Sequence, residues 1–185
     1  ENAEYSIEVT ELAAGQRNVG HLLPADGTPL KEGSYSFTIS FEQEQYSFRF
    51  NVAPESTTFD LQSKLSDFIN KTGIGLTTQV ALHKEMGLSR LELTANQTGI
   101  YGKSSFFLKD TEKPEGAKTG LVETLGLSNV LTPATNAKFT INGLPYESPE
   151  NMTSYENTLL LSFKDTTKEP VSVTPVPDRT AVYDA

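Results

Sequence analysis

Side chains able to do chemistry are few in this sequence, and their spacing is unhelpful to catalysis. His21 and His83 are the only histidines, and neither has a second nitrogen ligand or a triad partner at helix or strand spacing. There are no cysteines, which excludes disulfides, thiolate nucleophiles and sulfur-ligated metal together. Gly73-Ile74-Gly75 follows a helical pattern instead of opening one, so it suits a helix cap better than a dinucleotide turn, and no phosphate-cradling Gly-Lys-Ser/Thr ending occurs. Carboxylates are abundant, and a pair set for glycoside hydrolysis would depend on separation in space. Glu8, Glu42, Glu44 and Glu92, however, fall on the polar side of alternating segments and read as solvated. No EF-hand spacing is present. The sequence therefore predicts no enzyme, with no catalytic, cofactor-binding or metal-binding residue and no cofactor.

Two further patterns carry a possible surface role. Asn70, Asn96 and Asn151 each begin an Asn-x-Ser/Thr triplet, the glycan acceptor of eukaryotic secreted chains, although an Asn- and Thr-rich sequence produces such triplets by chance. Tyr35, Phe37, Tyr46, Phe48 and Phe50 could stack on sugars or bases. Their alternation puts them on one side, and core burial accounts for that better.

The elements that must position these groups are mostly strands. Tyr5, Ile7 and Val9 alternate with polar residues, as do Tyr35, Phe37, Ile39 and Phe41, and then Tyr46, Phe48, Phe50 and Val52. The second and third runs flank Glu42-Gln43-Glu44-Gln45 and predict an antiparallel hairpin whose aromatic face walls a core. Beyond Pro54 the period changes. Leu61, Leu65, Phe68 and Ile69 form a helix stripe, with Thr57 and Asp60 as a near capping box and Gly73 just past the end. Strand patterns resume over 76–82, 90–95 and 105–108, and 109–118 reads as a surface loop around Pro114 and Gly116. Leu121, Val122 and Leu125 predict a short helix stopped at Gly126. Strand patterns return at Phe139 and Ile141, with the turn dipeptide Asn142-Gly143, then at Leu159, Leu161 and Phe163 and at Val171 and Val173.

The fold class is thus mainly β with an α+β insert: antiparallel strands, one clear helix near 57–70 and a short one near 119–126. The chain has 185 residues with 24 acids against 15 bases, a net charge of −9. That length suits one large or two small domains. The acidic balance, without a basic cluster, argues against a nucleic acid partner. No apolar run reaches the roughly 20 residues needed to span a bilayer, so no membrane insertion is expected. The first residue is Glu1 and the only methionines are Met86 and Met152, which predicts a processed product or a piece of a longer protein.

Several stretches together resemble the bacterial flagellar filament cap protein family, also called the second hook-associated proteins. Tyr5-Ser6-Ile7-Glu8-Val9-Thr10-Glu11-Leu12-Ala13, with Gln16 and Arg17, resembles the family's opening strand and Leu-Ala pair. Phe139-Thr140-Ile141-Asn142-Gly143 resembles its recurrent signature, with Asn151 at a suitable distance, then Thr158-Leu159-Leu160-Leu161 and 166–174 resembling the paired strands and loop that follow. Residues 56–70 and 91–99 resemble the small insert module of flagellin-type proteins. Tyr155-Glu156-Asn157 stands where the family has a Pro-Gly-Val type turn, and Asp165 replaces a glycine.

The resemblance implies the central β-rich head domains of a cap subunit. In it, 1–30 and 137–178 build a discontinuous β domain, 31–136 is an inserted α+β domain, and 179–185 begins a truncated segment. It implies a structural and assembly role at the extracellular flagellum tip. There the head retains exported flagellin and promotes its folding and incorporation, with flagellin and further copies of itself in a ring as partners. A surface adhesin or glycan-binding module, touching host glycan or mucin, is the alternative. Under the first reading, partner contacts are expected on loops such as Glu112 to Lys118 or on polar strand faces.

Overall fold

The computed structural model describes residues 3–176, so the segment 179–185, read from sequence as the start of a further element, lies outside the described residues. The chain divides into two compact units, Glu1–Ala13 with Thr135–Ala185, and Ala14–Ala134. Every strand pairing among the described residues is antiparallel.

The second unit begins with β2 (Arg17–Val19) and β3 (Leu23–Pro24), after β1 (Tyr5–Glu11) of the first. Next come β4 (Gly33–Ser40) and β5 (Gln45–Val52), the hairpin that the alternation predicts, with Phe37 opposite Phe48 and Tyr35 opposite Phe50. Tyr35, Phe37 and Ile39 are fully buried on its inner face. Helix α1 (Thr58–Thr72) follows; Thr57 Oγ1 accepts from the Asp60 amide at 3.2 Å, and Gly73 ends it in the left-handed conformation at φ 65°. Leu61, Leu65 and Ile69 form the buried stripe.

Strands β6 (Leu76–His83) and β7 (Leu88–Ala95) pair along their length. The other edge of β7 is shared by β3, at Ser89 and Leu88, and β2, at 92–94. The 14–30 segment, assigned from sequence to the discontinuous domain, is therefore hydrogen-bonded into the second unit. Tripeptide and dipeptide strands such as β2 and β3 are too short to show a period of two. Strand β8 (Phe107–Glu112) pairs with β4 and starts two residues later than its apolar run. It also extends to Glu112, so 109–112 is strand and not the predicted loop. Its polar residues are held by the ladder to β4, which needs no apolar side chain. Short helix α2 (Leu121–Leu125) and β9 (Val130–Thr132), paired with β2, complete the unit.

In the first unit β10 (Ala137–Ile141) pairs with β1 and with β11 (Leu144–Ser148) through the Asn142-Gly143 turn, where both residues have positive φ. Strand β14 (Val171–Val173) lies on the other edge of β1, giving the order β11-β10-β1-β14. A separate hairpin of β12 (Met152–Tyr155) and β13 (Leu159–Ser162) contributes Leu159 and Leu161 to a core shared with Ile7, Val9, Phe139, Ile141 and Phe163. Its turn is made by Glu156 and Asn157, both at positive φ, in place of the Pro-Gly-Val type turn.

Candidate functional site

The polar groups singled out by sequence are mostly consumed by the fold. His21 and His83 are both exposed, and His21 covers the C-terminus of α2: its ring lies against Gly126, whose φ of 69° and lack of a side chain permit the approach. His21 N donates to Leu125 O at 2.9 Å. A groove of about 500 Å³ beside it is lined by His21, Asp110, Glu123, Ser128 and Asn129 among others. Asp110 in that lining is engaged by the fold. Its two oxygens accept from the Val122 and Glu123 amides at 2.8 and 2.9 Å, so a strand residue caps a helix whose own N-cap residue, Gly120, has no side chain to do so.

Glu92 corrects the sequence reading. Alternation does put it on the face of β7 opposite Leu91 and Leu93, but it is only 5% exposed. Being in a central strand, it is flanked by long side chains from both neighbours. Arg17 of β2 reaches Oε2 at 2.9 Å, Gln79 of β6 donates to Oε2 at 3.1 Å, and Arg90 on the same strand reaches Oε1 at 3.0 Å. Burial pushes the carboxyl up, but the bonds from Gln79, Arg17 and Arg90 outweigh it and hold the pKa below the usual carboxylate range. This is a compensated buried charge with no open side for a substrate.

Glu44 is also engaged, though exposed. Lys103 Nζ contacts it at 2.6 Å, reaches Tyr46 Oη at 3.2 Å and lies 5.5 Å from the centroids of Phe41 and Tyr46. The Lys103 hydrogen bond lowers the Glu44 pKa, and Glu44 raises that of Lys103. Glu42 accepts from the Gly102 amide at 3.0 Å. These contacts fasten the 97–104 turn to the tip of the β4–β5 hairpin. Tyr155 has its pKa pushed up to about 12, first by its hydrogen bond with Tyr146, then by desolvation and Glu156.

The asparagines of the acceptor triplets are all hydrogen-bonded within the fold, and Asn70 and Asn151 work as backbone mimics. Asn70 bonds both backbone groups of Thr78, accepting at 2.8 Å and donating at 3.0 Å, and Asn96 accepts from Thr77 Oγ1. Asn151 does the same for Ala13. Asn142 accepts from Ser6 N at 3.0 Å and returns its own amide to Ser6 O, while Thr167 bonds Val9 N and O. Asn142 and Thr167, both within the stretches that carried the family resemblance, thus bond β1 itself, and Asn151 bonds Ala13 two residues beyond its end. Sequence quoted these residues but did not show that β1 and the residues just after it are what they bond. The cue was available only as three hydrogen-bonding side chains placed just after strand or turn signals.

At 112–118, Lys31 Nζ donates to Glu115 O at 2.8 Å and Lys113 Nζ to Lys118 O at 3.0 Å, around a 260 Å³ depression that includes Lys31, Tyr35, Gly116 and Lys118. Among the described residues no group of three or more His, Asp or Glu side chains is placed to hold a metal. No helix among them is long and apolar enough to cross a membrane.

A β unit interrupted by a mixed α+β unit is a fold similar to that of solved flagellar cap proteins. FliD (HAP2) from Pseudomonas aeruginosa PAO1 superposes with a TM-score of 0.67 at 21% identity, covering 100% of this chain and 84% of that one. The FliD D2-D3 domains from Escherichia coli give 0.67 at 21%, with 96% and 90% covered, and FliD from Bdellovibrio bacteriovorus 0.64 at 18%, with 95% and 94%. In sequence, the chain is 29% identical over 196 residues to the A-type flagellar hook-associated protein 2 of Pseudomonas aeruginosa, which takes in 97% of this chain. It spans 40% of that relative's length. No family model matches. The mainly antiparallel fold and the resemblance read from sequence both agree with these likenesses.

Proposed function

We propose that this chain is the head region of a flagellar filament cap subunit, acting outside the cell at the filament tip. There it retains exported flagellin and promotes its folding and incorporation, alongside other copies of itself. The observation that supports this most directly is that the likeness to cap-protein heads runs through both units and nearly the whole chain. The mechanism is steric and conformational and has no covalent step. Asp110, Glu92 and Glu44, the carboxylates with the most defined surroundings, are each spent on a structural partner. Partner contacts lie on exposed loops, with 112–118 as one such surface.

The test is to delete the segment encoding 1–185 in the bacterium that makes it, keeping the flanking sequence, and to compare flagellin in filaments with flagellin free in the medium. Leaked monomer with short or missing filaments is the expected result. Normal filaments would overturn the reading in favour of a surface adhesin or glycan-binding module.

A further inference from the structure

One edge of α1 carries polar residues at every fourth position: Thr58, Gln62, Ser66 and Asn70. Three of them have strand or loop partners. Thr58 Oγ1 reaches Gly27 O, Ser66 Oγ lies 2.8 Å from Thr78 Oγ1, and Asn70 brackets Thr78. Gln62 is different. Its Nε2 donates to Ser89 O at 3.2 Å, but its Oε1 has no hydrogen-bonding partner among the described residues, and neither has Ser89 Oγ. Both residues are 0% exposed. A buried polar atom left unpaired is destabilising, and two such atoms on touching residues call for a shared solution.

The surrounding protein cannot supply one. Ser89 sits in the middle of the sheet, with its backbone laddered to Leu82 on one side and Leu23 on the other. The polar side chains one turn before and after Gln62 are committed to Gly27 and Thr78. What fits is a small molecule that donates to a carbonyl oxygen and also accepts from, or donates to, a hydroxyl. We propose that Gln62 and Ser89 hold a single ordered water between α1 and β7, donating to Gln62 Oε1 and bonded to Ser89 Oγ. Interior waters of this kind bridge otherwise unpaired groups and exchange slowly with solvent.

The test is water-oxygen magnetic relaxation dispersion on the whole chain, comparing the natural sequence with Q62L/S89A. Loss of one long-lived water in the double variant is expected; an unchanged number overturns the proposal. Stability gives a second readout. Q62L alone, which strands Ser89 Oγ and removes the donor to Ser89 O, should raise the unfolding equilibrium constant about tenfold, while Q62L/S89A, which removes both partners, should lie within about threefold of the natural chain. Should the double variant not fold, a high-resolution crystal structure of the unsubstituted protein decides. Density within about 3 Å of both atoms supports the water. A direct Ser89 Oγ to Gln62 Oε1 bond with nothing between them overturns it.

Discussion

The carboxamide of Asn151 pairs with Ala13 as one strand residue pairs with another: Oδ1 accepts from Ala13 N at 2.7 Å and Nδ2 donates to Ala13 O at 2.8 Å. Ala13 is 5% exposed and is the last residue of the first unit before the chain enters the second. Asn151→Ala leaves both backbone groups without their partner. It should cost the first unit about 1–3 kcal/mol, and Asn151→Asp, which keeps only an acceptor, should cost part of that. Thermal unfolding followed by amide resonances of each unit checks this; equal loss in both units would contradict it.

Residues 14–134 should fold alone. Their ends are brought together inside the unit, with Arg17 paired to Thr132, and a full core including Phe37, Leu65, Leu93 and Leu125 lies within them. Far-UV circular dichroism and a cooperative urea transition of the excised segment are the expected outcome, and a chain without a transition would refute domain autonomy.

Removing the Asp110 carboxylate should loosen α2 specifically. Asp110→Ala is expected to cost about 1–2 kcal/mol and to raise hydrogen exchange at the Val122 and Glu123 amides, which lose their acceptors. Exchange in α1 should not change.

Glu92 makes a pH prediction. Its pKa in the folded chain is held below the unfolded value of about 4.3. Its contribution to stability is therefore complete above the unfolded pKa and fades as pH falls through the folded one. Glu92→Gln should lower stability by about 1–3 kcal/mol near neutral pH, and the gap to the natural chain should narrow as pH is taken below about 4. Arg17 and Arg90 keep access to water at 40% and 28% side-chain exposure, which limits the cost of losing their partner. A gap that is constant with pH would sink the assignment.

At Gly126 two penalties coincide, a left-handed backbone and the His21 ring occupying the place of a side chain. Gly126→Ala should destabilise by about 1–3 kcal/mol, and His21→Ala added to it should recover only the part due to the ring, because the His21 backbone nitrogen also lies 2.8 Å from the added methyl. Denaturant midpoints of the two singles and the double measure that coupling.

How far the sequence spoke depended on the range of the interaction. The β4–β5 hairpin and α1 were legible because their signals are local: aromatic alternation on either side of a polar turn, and a Thr57 cap, apolar stripe and Gly73 stop in one window. Strand β11 was not legible, since Leu144-Pro145-Tyr146 has no clean alternation and forms through its ladder to β10. The short β2, β3 and β9 depend likewise on partners far along the chain, and with them went the domain boundary. Glu92 failed for a related reason. Its face was right, but the side chains that cover it come from β2 and β6, which no local pattern could reveal.

The adjacency of the two crossings has a topological consequence. Thr135 Oγ1 donates to Leu12 O at 2.9 Å, and Glu11 sits opposite Lys138 in the β1–β10 ladder. To the smaller unit, everything from Ala14 to Ala134 is a hairpin loop. Closing an unstructured loop costs entropy that grows with the logarithm of its length, but a loop that has already joined its own ends presents almost no length at all. The site therefore behaves as a socket: what it requires of its occupant is the spacing of two chain ends, leaving the occupant's size and internal architecture free to vary.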